Sequence, residues 1–140
     1  MRAVCAATLT GYDELSNAYI PQENANKLFN KAFGVAYGPG LNENRLTSPK
    51  FTPNRQIDVL LINKVTASES NINFLAEQQK AIQEDLFAII KAVELSGAIH
   101  DLCTKFEYSS DTGIEFTDAD TAKYYLLNAT FNFSYDEIIN

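Results

Sequence analysis

The chain has 140 residues, of which 46% are hydrophobic and 21% charged, a composition typical of one globular domain. Eleven Lys and Arg against 18 Asp and Glu give a net charge of −7, which argues against a nucleic-acid binder because phosphate recognition needs a cationic face. The longest apolar runs, 3–7 and 86–90, fall far below the ~18–20 residues of a membrane helix. We expect a single domain over 1–140, without a membrane span or a secretory signal.

The N-terminal part, 1–56, is rich in Asn, Gly and Pro, whereas the rest of the chain has strong hydrophobic periodicity. This contrast predicts an irregular N-terminal segment that packs around a regular core formed by 57–140. A short helix is predicted after Pro21, since proline suits the first helical turn. The apolar side of that helix would consist of Ala25, Leu28, Phe29, Ala32 and Phe33.

A long loop is predicted over 34–55, because this segment has few apolar residues and contains Gly38-Pro39-Gly40, Pro49 and Pro53. Loops longer than ~12–15 residues are uncommon in compact domains and often carry function. Two interpretations stay open at this point, an arm that contacts partners and an ordinary surface loop.

The regular part begins with a strand at 56–65, whose apolar residues fall on both faces and predict a central strand, covered by helices or by a neighbouring subunit. A helix is predicted over 73–96, with Gly97 as its stop and a Lys80–Glu84 pair on its polar side. Its apolar stripe recurs at spacings of three, four and seven residues and consists of Leu75, Ile82, Leu86, Ile89, Ile90 and Val93.

Strands are also predicted at 99–108 and 125–135, with a turn at 109–113, a return strand from 114 and a corner at 118–120. The last strand alternates most regularly, and its polar face is either solvent-exposed or part of a subunit contact. Together these elements predict an α+β fold. A mostly antiparallel sheet of about four strands would pack against one long amphipathic helix and a shorter N-terminal helix, with a long Gly/Pro-rich loop.

No group of residues indicates catalysis, a metal site or a cofactor site. His100 and Cys103 are an odd number of positions apart in a predicted strand, so their side chains would point to opposite faces. The acidic residues at 111, 115, 118 and 120 lack the ligand spacing of an EF-hand loop. We therefore expect a protein that is not an enzyme and that holds no cofactor.

The order of five stretches along the chain and their local residue patterns resemble those of a known family. These stretches are 34–40, 55–61, 77–93, 106–116 and 126–135. The chain resembles the tail terminator (tail completion) proteins of tailed bacteriophages. The resemblance implies a small α+β subunit that assembles, usually as a hexameric ring, on the end of the tail tube. Such a ring stops tube polymerisation and presents a surface to the head-side connector, so the protein would belong to the virion and be made in the host cytoplasm.

The acidic balance suits such a ring, since a negatively charged channel lets DNA pass without binding it. The same charge would keep isolated copies apart at low salt, so that the ring closes on the tube. Other neck or connector subunits, a stand-alone protein-binding adaptor and a small enzyme are the alternatives. We expect segment 34–56 to contact other subunits, the tube protein or the connector, through Tyr37, Pro39, Leu41, Arg45, Lys50 and Arg55.

Overall fold

The computed structural model describes residues 1–15, 30–37, 44–47, 50–52, 54–65, 72–119, 122–135 and 137–138, and these residues form a mixed α+β structure. The described helices are α1 (Arg2–Thr8), α2 (Ile72–Glu94) and α3 (Gly97–Leu102). The described strands are β1 (Asp13–Glu14), β2 (Lys31–Tyr37), β3 (Asn44–Thr47), β4 (Lys50–Thr52), β5 (Asn54–Lys64), β6 (Lys105–Asp111), β7 (Glu115–Ala119), β8 (Ala122–Ser134) and β9 (Glu137–Ile138).

The main sheet has six strands in the order β1-β2-β5-β8-β6, with β7 also paired to β8. The two-residue strand β1 runs parallel to β2, and every other pair in this sheet is antiparallel. A second sheet of three strands has the order β3-β4-β9. The α+β class is thus confirmed. The expected sheet of about four strands with one long and one shorter N-terminal helix does not match the six-stranded main sheet and the three described helices.

Strand β5 lies at the centre of the main sheet and is buried on both faces, as its sequence predicts. Val59 and Leu61 belong to the larger core, on the face that the helices cover, which we call the helix face. Leu60 and Ile62 belong to a second, smaller core on the opposite face, together with Tyr124. Because each face of β5 is apolar, a one-residue slip of its register would still bury apolar side chains. The hydrophobic pattern of β5 alone therefore does not fix the register, and the long pairing with β8 does.

Helix α2 packs on the helix face through one apolar stripe, as predicted. Its buried residues are Ile82, Leu86, Ile89 and Val93. Opposite them, the sheet contributes Phe33, Phe131 and Leu127 to the same core. The exposed side of α2 carries the predicted pair, with Lys80 Nζ 3.8 Å from Glu84 Oε1.

Helix α1 completes the cover of the helix face, and the sequence analysis did not predict it. Its Ala-rich sequence, with Ala3, Ala6 and Ala7, has high helix propensity. Cys5 is fully buried in the main core, and this burial raises the pKa of its thiol to about 11. The following segment is attached to α2 by Tyr12, whose hydroxyl donates a 2.7 Å hydrogen bond to Asp85.

The N-terminal part differs from the expectation of a helix and a long loop. Ala32 and Phe33, expected on a helix, lie in β2 and are buried on opposite faces of the sheet. Residues 34–37, expected in the loop, continue the same strand, while 44–47 and 50–52 form a β-hairpin. Pairing of β2 with β5 over seven positions outweighs the low strand propensity of Gly34 and Ala36. The rest of the expected helix, 21–29, lies outside the described residues.

The predicted strand at 99–108 is wrong in its first half. Helix α3 occupies 97–102, because Ser96 forms an N-cap and its Oγ accepts a 3.3 Å hydrogen bond from the Ile99 amide. Gly97 therefore opens α3 and is not the stop of α2, which ends at Glu94. Strand β6 starts only at Lys105, and Cys103 is the C-cap residue of α3.

The turn predicted at 109–113 is shorter than expected, because β6 extends through Asp111 and only 112–114 connect it to β7. Gly113 adopts a φ of 71°, a conformation that glycine reaches without a steric penalty. The Asp111 carboxylate accepts a 2.7 Å hydrogen bond from the Gly113 amide. The return strand β7 extends through Asp118 and Ala119, two of the three residues expected to form the next corner.

Leu86→Ala is expected to lower the free energy of unfolding by about 2–5 kcal/mol, because Leu86 is 4% exposed and faces the sheet. The neighbouring Phe87→Ala serves as a control, since Phe87 is 66% exposed and its loss should cost less than about 0.5 kcal/mol. Urea denaturation of both variants measures the difference. Equal midpoints would contradict the packing of α2 on the sheet.

Candidate interaction site

The second sheet extends the main sheet beyond its end. Asn54 pairs with Ser134 at the end of the β5–β8 ladder, and three residues further along both strands Phe51 pairs with Glu137. The β4–β9 pairing is therefore in register with the β5–β8 pairing. In the sequence, Pro53 separates the two ladders, and proline has no backbone N–H to contribute to a ladder. Strand β3 folds back on β4, and we call β3, β4 and β9 the arm.

Four of the six residues predicted to contact partners fall at the arm or at its base. Arg45 lies in β3, and Lys50 lies in β4, where it pairs with Ile138. Arg55 and Tyr37 lie at the base, in β5 and at the end of β2. The sequence predicted these residues as parts of one loop, and the strand register brings them to one end of the sheet. Pro39 and Leu41 lie outside the described residues.

The segment 44–55 is the most cationic part of the chain. It contains Arg45, Lys50 and Arg55 and no acidic residue. Segment 44–55 therefore has a net charge of +3. Because the whole chain has a net charge of −7, the residues outside this segment have a net charge of −10. The arm also includes Glu137 of β9, so β3, β4 and β9 together carry a net charge of +1 and the rest of the chain carries −8. A weakly cationic arm on an acidic body favours contacts between the arm of one molecule and the body of another.

An apolar cleft of about 270 Å³ lies beside the base of the arm, between the start of α1 and the end of β2. Ala3, Val35, Tyr37 and Ile57 line it, and Tyr37 is 77% exposed. Arg2, also in the lining, is held by an ion pair with Glu14. The cleft is smaller than the ~300–1,000 Å³ of typical small-molecule sites, and it fits a single large side chain better than a substrate.

A row of aromatic rings lies at the other edge of the helix face, on β6 and the end of β8. Phe106 lies 5.8 Å from Phe131 and 6.0 Å from Phe133, and Tyr108 meets Phe131 edge-on at 5.8 Å, all between ring centroids. The sequence predicted that Phe106 and Tyr108 share a face. Their packing against Phe131 could not be read from it, because that contact depends on the β6–β8 register.

The polar face of β8 is partly buried. Thr130 Oγ1 donates a 2.9 Å hydrogen bond to Asp58 Oδ1 across the β5–β8 pair. On either side of it, the Oδ1 atoms of Asn128 and Asn132 are buried without a hydrogen-bond partner in the described part of the chain. A buried, unpaired amide oxygen costs about 1–3 kcal/mol of stability.

His100 and Cys103 form no activated pair. His100 lies on α3, and its Nε2 is 2.9 Å from the Glu94 carbonyl oxygen. The argument that a strand separates the two side chains is wrong, because α3 replaces that strand. Burial raises the pKa of the Cys103 thiol, which is opposite to the lowered pKa of a reactive cysteine.

Among the described residues, no group of three or more His, Cys, Asp or Glu side chains is arranged to hold a metal ion. None of their helices combines the length and the apolar character needed to cross a membrane. Compared with known proteins, the chain matches no family model and no curated protein.

The Tyr108 hydroxyl donates a hydrogen bond to the Asp111 carboxylate, and this bond is the main reason why the pKa of Tyr108 is raised to about 12. Asp111→Asn should lower that pKa toward the ordinary tyrosine value of about 10. Spectrophotometric titration measures it, with Tyr108→Phe identifying the signal of this ring among the seven tyrosines.

The folded state holds the Tyr108 proton more tightly than the unfolded state does. The resulting stabilisation should be fully present below about pH 10 and be lost as the pH rises toward 12. A Tyr108 ionisation that is the same in the parent and in Asp111→Asn would contradict the contact.

Proposed function

We propose that the chain is a structural subunit of a bacteriophage tail and acts as a tail terminator. In this role it forms a ring, most simply a hexamer, on the end of the tail tube. The ring ends tube polymerisation and joins the tail to the head-side connector. The observation that carries the proposal is the arm, which extends the central β5–β8 ladder beyond the main sheet.

The arm supports assembly because it differs chemically from the rest of the molecule. The arm has a net charge of +1, whereas the rest of the chain carries −8, so an arm that reaches a neighbouring subunit meets charge of the opposite sign. A contact between two different surfaces of identical subunits is head-to-tail, and such contacts close into rings when the rotation between subunits allows it.

The overall charge supports a channel for DNA. Six copies of a chain with a net charge of −7 surround the channel with negative charge, which DNA passes without binding. The partners in this proposal are further copies of the chain, the tube protein and the head-side connector. The proposed role needs no catalysis and no cofactor, and it places the protein in the virion after synthesis in the host cytoplasm.

Disruption of the gene in the phage that encodes the chain tests the proposal. We expect tails of irregular, excessive length that are not joined to heads, as seen by electron microscopy, and restored tails when the protein is supplied in trans. Tails of normal length that are detached from heads would instead indicate a neck or connector subunit. Normal particles would overturn any role in the virion and favour a protein-binding adaptor.

The double variant Arg45→Glu/Lys50→Glu should abolish assembly on the tube, because it reverses the charge of the arm. A matched control is Lys80→Glu/Lys91→Glu, which changes the net charge equally on the exposed side of α2. Both variants should keep the circular dichroism spectrum of the parent. Cosedimentation with purified tails measures binding, and equal binding of the two variants would contradict a contact made by the arm.

A further inference from the structure

The side of α2 that faces away from the sheet carries one large apolar side chain among charged ones. Phe87 is 66% exposed and lies about 130° around the helix from the buried stripe. At 3.6 residues per turn, four exposed charged residues fall on the same side, all within about 80° of the helix circumference. These five residues, which we call the outer stripe, are Lys80, Glu84, Phe87, Lys91 and Glu94. An exposed aromatic ring framed by charged side chains is typical of the centre and rim of a protein contact.

The charges of the outer stripe are antisymmetric about Phe87. Lys80 lies seven residues before Phe87, and Glu94 lies seven residues after it. Glu84 lies three residues before Phe87, and Lys91 lies four residues after it. Each cation on one side of the ring therefore corresponds to an anion at nearly the same distance on the other side. Two antiparallel copies of such a helix present opposite charges to each other.

A twofold axis between two Phe87 rings places these charges in pairs. With a rise of 1.5 Å per residue, Lys80 of one copy and Glu94 of the other both lie about 10.5 Å from the axis along the helices. Glu84 and Lys91 lie about 4.5 Å and 6 Å from it, a difference that a lysine side chain spans. Within one copy, Lys80 Nζ is already 3.8 Å from Glu84 Oε1, so the paired helices would carry one alternating network of charges.

The outer stripe suits this partner better than other ones. In a parallel pair in register, each charge would face the same charge of the other copy, and like charges in contact repel. A uniformly acidic or basic partner would be repelled by half of the stripe for the same reason. The net charge of −7 also opposes association at long range, so the matched pairs act only when two copies meet in the antiparallel register.

We propose that the outer stripe of α2 binds the outer stripe of a second copy of this chain, antiparallel and with twofold symmetry about Phe87. The Phe87 rings form the central apolar contact, and the ion pairs around them fix the direction and the register. The contact contains no residue of the arm and makes a dimer of the free protein. It goes beyond the proposed role in the tail and does not rest on it.

Two charge-reversed variants test the pairing. Lys80→Glu/Lys91→Glu makes the charges of the stripe wholly acidic, and Glu84→Lys/Glu94→Lys makes them wholly basic. Each double reversal shifts the net charge of −7 by four, so the two proteins carry −11 and −3. Analytical ultracentrifugation at ~0.15 M salt, where the Debye length is ~8 Å, measures their association.

We expect a dimer of the parent protein, a monomer of each variant alone and a heterodimer in their 1:1 mixture. Because both variants are negatively charged overall, general attraction does not account for the mixed dimer. A parent that stays monomeric at the highest concentrations that sedimentation allows would overturn the inference. A variant that dimerises as the parent does, or a mixture without heterodimer, would overturn it as well.

Phe87→Ala tests the centre of the contact. It should raise the dissociation constant of the dimer by about 10-fold or more, as the loss of a central aromatic residue does in other contacts. Phe116→Ala is the matched control, since Phe116 is 53% exposed and lies on β7. Equal dissociation constants for these two variants would reject Phe87 as the central contact. Unfolding measured below the dissociation constant reports the monomer, to which the exposed Phe87 ring contributes little.

Disulfide cross-linking distinguishes antiparallel from parallel helices. Phe87→Cys in a Cys103→Ser background should link to itself, because the two residues meet at the axis and Cys5 is fully buried. Lys80→Cys in the same background should not, because antiparallel copies place these residues about 21 Å apart, far beyond the ~7 Å between Cα atoms that a disulfide spans. Equal linking of both variants, or linking of Lys80→Cys alone, would overturn the antiparallel pairing.

The inference and the proposed function fail separately. Normal particles after gene disruption would reject the phage role and leave the dimer in place. Overlong tails after disruption, together with a monomeric parent protein, would retain the tail terminator and reject the dimer.

Discussion

The pairing of β5 with β8 is the constraint on which the rest of the structure depends. It joins eleven residue pairs without a break, from Asn54 with Ser134 to Lys64 with Tyr124. Both strands are covered on the helix face by α2, and on the opposite face they contribute to the second core. Strand β2 adds to one side of this pair, and β6 and β7 add to the other. A slip in this ladder would displace both cores and the arm together.

The ladder also explains why the candidate contact residues lie at one end of the described sheet. At the end near Lys64, β5 and β8 are flanked by β2 and β7. At the other end, the same two strands run on toward β4 and β9, and the chain there carries its densest positive charge. The cleft and the aromatic row flank that end on the two edges of the sheet. The sheet is therefore asymmetric from end to end and from edge to edge.

The parts that the sequence predicted well are those with strong local periodicity. The stripe of Ile82, Leu86 and Ile89 identifies the buried side of α2, because 3.6-residue periodicity is a local property of the chain. The alternation of Leu127, Ala129 and Phe131 identifies the core side of β8 for the same reason. The weak point was 97–102, where a single capping hydrogen bond from Ile99 to Ser96 starts a helix that apolar alternation does not reveal.

The sequence by itself determined the α+β class, the long helix, the central strand with two apolar faces and the concentration of positive charge at 45–55. Each of these follows from residue type and spacing along the chain. Only the tertiary structure decided that Gly34–Tyr37 is a strand and that 44–47 and 50–52 form a hairpin. It also decided that β4 and β9 pair in register with β5 and β8, and that Val35 and Tyr108 lie on opposite sides of the β5–β8 pair. The physical reason is that strand pairing joins residues distant in sequence, and its free energy depends on a partner that local propensity does not specify.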